Sequence, residues 1–355
     1  MTRFLFTLAL GATMVSCSTS DPSTQPRALK VLLLYDMEGV TAATSYEYTN
    51  AYHTTEYEEG RLSLTEDVNA AIRGLVAAGA TEILTVDGHG SENEAGPDIL
   101  IDQLLPPARA LMRDASFDQY LDAYDQSFAA IVAIGMHAAA GNRAGFLGHT
   151  YSGEDERYEV NGVPFNESML LAALAARRRV PLMMVSGDDQ LMREIRQHMP
   201  WVRYAVVKRA LDHSRAESIE RHEASRRIEQ EARQALEGLS DARLPEWPPP
   251  YRFSLTFQDE AQAAAAEMVR GAAARDGRTV EARSDRFEEG YRTSVRMLQA
   301  AIHVGWSTAL EAALTSPADG TPPRLRATRW WYERFLGRRA TDRRAEPARQ
   351  HWGAK

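Results

Sequence analysis

The 355-residue chain has a single cysteine, Cys17. That scarcity excludes an internal disulfide in any redox compartment and leaves the body of the chain no thiol for catalysis. Long apolar runs are missing too. The run from Phe4 covers about a dozen residues, short of the roughly twenty that a membrane-spanning helix needs. No internal repeat at solenoid periods is present. Positive charge is concentrated at one end: residues 315–355 hold ten Lys or Arg against four Asp or Glu, although the whole chain carries a net charge of −8. The remaining body is strongly acidic, which argues against nucleic acid as the main partner, because phosphate binding needs a continuous basic surface.

What is present is a globular composition, 44% hydrophobic and 25% charged, enough for one large domain or two ordinary ones. The opening "MTRFLFTLALGATMVSC" has a basic start, an apolar centre and small residues before Cys17. This is the pattern of an export signal over residues 1–16. The "MVSC" ending resembles a bacterial lipobox, with Met14 where that pattern usually has Leu. The expectation is a lipid-anchored protein of the cell envelope facing the periplasm, with Cys17 as the lipidated residue; an ordinary cleaved signal and an uncleaved anchor are the alternatives. Residues 17–28, with "STSDPSTQPR", read as a flexible tether.

From Leu29 onward, short apolar runs alternate with helical patterns. "LKVLLLY", "TEILTV", "FAAIVAIG", "VPLMMVSG" and "RYAVVK" read as strands. "LTEDVNAAIRGLVAAG", with Thr65 as cap and Gly79 as stop, reads as a helix, as do "ESMLLAALAARRR" and "QLMREIRQHM". Near-continuous apolar strands separated by helices indicate an α/β fold, a mostly parallel sheet covered by helices on both faces. A long polar helix is expected over 214–239, and "PEWPPP" then breaks the chain. The domain reading is an α/β domain over 29–245, a second, smaller α+β unit over 246–314, and a basic tail over 315–355 with little packed structure.

The polar residues fall where such a sheet binds ligands, beyond the carboxyl ends of its strands. The first strand runs into "DMEG" with Asp36 and Glu38, the second into "DGHG" with His89, and the third into "GMHA" with His137. Extended residues two apart project to one side, so Asp36 and Glu38 can reach one centre. Two such carboxylates repel, and a divalent cation resolves the repulsion; the histidines supply the nitrogen that zinc favours. Glu167 begins the helix that Asn166 caps, which places it at the same edge. Five mixed ligands exceed one tetrahedral zinc and suit two metals sharing a carboxylate. Taken singly, each residue has a plainer reading as a loop start, a turn histidine or a core histidine. Asp188 and Asp189 read as the cap of the following helix, Asp87 equally as a carboxylate orienting a ligand histidine or as a plain loop carboxylate, and Lys208 as an edge-strand lysine or a substrate contact.

The ordered set "DMEG", "DGHG", "GMHA", "LGHT", "NES…VPLMMVSGDD" and "AVVK" resembles the D-aminopeptidase family of the DppA type, dinuclear zinc peptidases. The resemblance spans about 29–214, weakening towards 305. It implies a zinc-dependent aminopeptidase acting on short peptides, such as those containing D-Ala, with two Zn2+ per chain. It makes Asp36 the bridging carboxylate, Glu38 and His89 the rest of one metal site, His137 and Glu167 the other, and His149 the catalytic histidine. It also implies a homo-oligomer, a decameric ring. Around Glu167 the chain departs from the family pattern: Asn166 precedes it where glycine is usual, and Leu171 stands where the family tends to carry asparagine. The metal set is retained while the pocket differs. Two other function classes remain at this stage, a non-catalytic peptide-binding lipoprotein and a dinuclear phosphoesterase.

Overall fold

The computed structural model describes residues 29–90, 96–113, 117–315 and 320–340. The expected signal, tether and Cys17 lie outside the described residues, as does the end of the basic tail.

Seven strands form the main sheet. They are β1 (Lys30–Tyr35), β2 (Glu82–Asp87), β3 (Ala108–Leu111), β4 (Ala130–Met136), β7 (Leu182–Asp188), β8 (Arg203–Asp212) and β9 (Arg215–Ser218). Their order is β3-β2-β1-β4-β7-β8-β9, parallel throughout except for β9, which pairs antiparallel with β8. The sheet grows from β1 towards β3 on one side and from β4 towards β8 on the other. Its topological switch point therefore lies between β1 and β4, where a doubly wound sheet opens a crevice for ligands.

The apolar runs are strands because both faces are covered. Along β1, Val31, Leu33 and Tyr35 pack with α1 (Thr54–Ala77) and α4 (Arg221–Glu237), while Leu32 and Leu34 join the opposite core with α2 (Glu167–Ala176) and α3 (Asp189–His198). A fully buried leucine contributes roughly 2 kcal/mol. Such a strand is stable enough to carry unfavourable polar groups at its end.

A second, antiparallel sheet has the order β11-β12-β10-β5-β6. It comprises β5 (Asp155–Val160), β6 (Val163–Pro164), β10 (Tyr251–Phe257), β11 (Ala272–Ala274) and β12 (Thr279–Ser284), with α5 (Glu260–Glu267) beside it. The expected break at 245/246 is thus crossed: β5 lies outside the main sheet and pairs with β10, and β6 pairs with β5. Tyr158 and Val160 bury one face of β5, an alternation that the preceding glycine-rich loop obscures in the sequence.

Two helices also differ from expectation. Thr65 lies inside α1 and donates to Arg61 O, so the helix starts eleven residues earlier, while Gly79 does terminate it at φ +96°. The polar helix expected from 214 begins at Arg221, because 215–218 extend the sheet instead.

The largest correction concerns the tail. Helix α6 (Phe287–Thr315) is followed by α7 (Pro323–Ala340), and α7 is packed structure. Ala327, Trp330 and Phe335 are buried, the first two against Ala309 and Ala313 of α6. The arginines of 324–339 suggested a solvated stretch, but the aromatic residues between them form a buried face. Among the described residues no helix is long and apolar enough to cross a membrane.

Candidate metal centre

Strand β1 ends at Tyr35, and the next four residues turn across the end of β4. Asp36 N donates to Ile134 O at 2.8 Å and Gly39 N to Gly135 O at 2.7 Å. A side chain at Gly39 would place its Cβ 2.1 Å from Met136 O, and one at Gly135, which has φ +77°, would lie 2.1 Å from Asp36 O. This contact between two bare backbones sets Asp36 and Glu38 against His137. The strand alternation invoked from the sequence thus stops one residue short, yet both carboxylates reach the centre.

The other groups arrive from adjacent elements. His89 follows β2, His137 follows β4, and Glu167 opens α2, whose cap Asn166 accepts from Met169 N at 2.9 Å. His89 Nε2 lies 3.2 Å from Glu38 Oε1, and His137 Nε2 lies 3.4 Å from Asp36 Oδ2 and 3.6 Å from Glu167 Oε1. The His149 ring stacks on that of His137 with centroids 4.0 Å apart. Two ligand sets result, Asp36–Glu38–His137 and His137–His149–Glu167, each with donor atoms within 4.8 Å of one another. All five expected ligands and His149 are therefore gathered at the switch point.

Each imidazole is held by its other nitrogen. His89 Nδ1 meets Asp98 Oδ2 at 2.8 Å, His137 Nδ1 meets Ala138 O at 3.1 Å, and His149 Nδ1 meets Leu147 O at 2.8 Å. Such contacts fix ring orientation and tautomer, leaving Nε2 with a lone pair to offer. Of the two readings of Asp87 the loop carboxylate holds: it accepts from His89 N and Asp98 N and leaves the His89 ring to another group. The carboxylate on the ring is Asp98, which the sequence reading missed. It follows a variable stretch without periodic signal; only its proximity to His89 and its isolation beside Pro97 hinted at it. Glu167 accepts from Tyr120 Oη at 2.5 Å and from Tyr151 N at 2.6 Å, two further partners that the sequence did not announce. Leu147 and Tyr151, flanking His149, have φ of 47° and 69°, a left-handed backbone that non-glycine residues hold only under restraint from their surroundings.

Asp188 caps α3 through Gln190 N and Leu191 N, and Asp189 starts that helix; neither joins the cluster. Lys208 is not an edge lysine, since β9 covers β8, and it does not line the site. It is fully buried and donates to Glu38 O at 2.8 Å and to Ala43 O. It thereby pins the turn carrying the two acids. Burial pushes its amine down to about 7, against the pull of Asp188, Asp67 and Glu38.

The electrostatics are those of a cation site. Burial raises Asp36, and the Glu38 charge raises it further. Burial also works against ionised Glu38, but the neighbouring His89 prevails and holds it well below the usual range. Burial disfavours charged His137, yet Glu167 and Asp36 drive it up to about 10; burial lifts Glu167 to about 7. Glu38 Oε2 and His137 Nε2 are buried without a hydrogen-bond partner. Buried polar atoms left unpaired are costly, and a cation held between the carboxylates and the deprotonated imidazole would pair them. The donor set, three carboxylates and three imidazoles, fits zinc better than magnesium or calcium.

An α/β sheet with this cluster at its switch point defines a metal-dependent hydrolase. Comparison with known proteins narrows the class: the chain belongs to the D-aminopeptidase family, whose model matches residues 29–295. It is similar to the D-aminopeptidase of Bacillus subtilis strain 168, 26% identical over 280 residues, which cover 78% of this chain and all of that protein. Among solved structures it is similar to the Zn-dependent D-aminopeptidase DppA from Bacillus subtilis, described as a self-compartmentalizing protease. That similarity has a TM-score of 0.71 at 25% identity, over 77% of this chain and 98% of that one. The chain is a metallo-aminopeptidase, which displaces the binding-protein and phosphoesterase readings.

Proposed function

We propose that the chain is a dinuclear zinc aminopeptidase that removes amino-terminal residues from short peptides containing D-amino acids, D-alanyl peptides among them. The observation that carries this is the convergence of Asp36, Glu38, His89, His137 and Glu167, with Glu38 Oε2 and His137 Nε2 buried and unsatisfied. In this reading Asp36, shared between the Glu38–His89 pair and the His137–Glu167 pair, would join them in holding two zinc ions. Bound zinc supplies Lewis acidity, making water nucleophilic near neutral pH and polarising a peptide carbonyl.

The chain's own residues do the rest. Asp98 and the Ala138 carbonyl keep His89 and His137 turned with Nε2 inward. Tyr120 and the Tyr151 amide fix Glu167. His149, half-buried over His137 with Nδ1 donating to Leu147 O, presents Nε2 to take up a proton as a base, and as the imidazolium so formed it would donate to the developing oxyanion or hand that proton to the leaving amine. A neighbouring cavity of about 190 Å3, lined on one side by Glu38, His89 and His149, accommodates a dipeptide-sized segment rather than a folded protein.

The self-compartmentalizing character of the Bacillus relative supports a homo-oligomer, a decameric ring by family resemblance. The leader and Cys17 support export and a lipid anchor, which would bring the enzyme to short peptides of the cell envelope. Purified protein assayed on D-Ala-D-Ala and L-Ala-L-Ala tests the stereochemical part. Turnover of the D-peptide supports it, and turnover of the L-peptide alone removes it. Metal content measured together with the rate of His149→Ala tests the chemistry: two zinc per chain, with a variant that keeps metal and loses rate, is the expected pair of results.

A further inference from the structure

The cavity beside the metal centre has two unlike walls. Glu38, His89 and His149 form one, within the family match; Ile302, Trp306, Trp331, Tyr332 and Phe335 form the other, all beyond residue 295 where that match ends. The second wall comes from α7 and from the part of α6 past residue 295, outside the residues that the family model matches.

This wall is built in place. Trp331 Nε1 donates to the carboxylate of buried Glu154, which also accepts from Gln262 Nε2. The Trp331 ring lies over bare backbone at Gly153, where an added Cβ would come within 2.6 Å of Cη2. Asn50 Nδ2 donates to Tyr332 Oη at 3.1 Å, Tyr332 stacks on Tyr46, and Arg334 pairs with Asp259. Phe335 stacks on Trp331 at 5.7 Å and meets the His149 ring edge-on at 6.0 Å. The aromatic rings are thus held rigidly next to the proposed proton donor. A rigid apolar surface discriminates among side chains by the area it removes from water.

We propose that Trp331, Tyr332 and Phe335, with Ile302 and Trp306, form a side-chain subsite that selects peptides whose residue next to the metal cluster carries a bulky, uncharged, apolar side chain. The proposal rests on the hydrolytic reading above and adds to it which peptides are preferred. Alanine reaches little of this wall with its single methyl group, whereas leucine or phenylalanine covers the indole and phenyl faces. A charged side chain would lose its hydration against them without gaining a partner.

The test is one series in two measurements. Peptides of the form Xaa-Gly-Gly, with Xaa as the Ala, Leu, Phe or Glu residue of the accepted hand, are assayed with wild type, Trp331→Ala and the conservative Trp331→Phe. Hydroxamates of Ala and Leu are titrated calorimetrically into the same zinc-loaded proteins, a readout that needs no turnover. Wild type should prefer Leu or Phe over Ala by roughly tenfold or more in kcat/KM, and the Leu hydroxamate should bind correspondingly tighter. Trp331→Ala should collapse that ratio through KM for the large side chains, and Trp331→Phe should largely restore it, which a merely structural role would not produce. A ratio near one in wild type, or one unmoved by Trp331→Ala in both measurements, overturns the subsite. A persisting Leu preference in binding, with no peptide turned over, upholds the subsite and overturns the hydrolytic reading beneath it.

Discussion

The two walls of the cavity show what different parts of a chain can specialise in. The cluster wall is assembled from strand ends at the switch point of a parallel sheet, where backbone contacts such as Gly39 on Gly135 leave little freedom. The aromatic wall is a pair of helices laid over it, anchored by the Glu154–Trp331 hydrogen bond and the Arg334–Asp259 ion pair. The first gathers buried charge that demands a cation; the second offers apolar faces. If chemistry belongs to one and selection to the other, changes in the cluster should abolish turnover of every peptide, and changes in the wall should reorder peptides.

The sharpest break is removal of a carboxylate. Asp36→Ala should lower kcat/KM on all peptides alike by roughly a thousandfold, about 4 kcal/mol of transition-state stabilisation, with zinc content falling in parallel. A loss confined to some peptides would blur the division between the walls. Next is the backbone contact beneath the cluster. Gly39→Ala drives a methyl group into Met136 O and should cost about 3 kcal/mol in urea unfolding of the metal-free protein, with no effect expected on the docking of α7.

Proton competition gives the third test. In metal-free protein His137 is raised to about 10 by Glu167 and Asp36 against its burial, and Glu167 is raised to about 7 by burial. Both protons must leave before these atoms can bind metal, so affinity rises with pH. With one proton displaced from His137 and Glu167 deprotonating through pH 7, zinc should bind at least about a thousandfold tighter at pH 8 than at pH 6, and more still because, against its burial, Glu38 and Asp98 also hold a proton on His89. Calorimetry in buffers of different ionisation enthalpy would count the released protons, and a pH-independent affinity would contradict the assignment. A smaller effect is expected from Asp98→Asn, which keeps the shape but weakens the hold on His89 Nδ1. Zinc affinity should fall tenfold to a hundredfold while the order of preferred peptides stays that of wild type.

The same contrast explains what the sequence revealed. The cluster was legible because parallel strands are short, apolar and recognisable, and because ligands of such a sheet lie just past their ends; Asp36, Glu38, His89 and His137 all follow that rule. Glu167 was legible through its Asn166 cap. Asp98, Tyr120 and Tyr151 were not, since each reaches the centre from a segment whose path is set by tertiary packing rather than by local periodicity. Helix α7 was hidden for a different reason. In "ATRWWYERFLGRR" four arginines are interleaved with four aromatic residues, and the buried face becomes visible only once α6 provides a surface for Ala327 and Trp330. Strand β5 was lost similarly, because its partner β10 lies about ninety residues downstream.

The most direct test of the central claim is an anomalous difference map at the zinc edge from crystals of the zinc-loaded protein. Two peaks among Asp36, Glu38, His89, His137 and Glu167, with Asp36 touching both, are the predicted result. A map without density inside that cluster, from protein that still cleaves peptides, would contradict it.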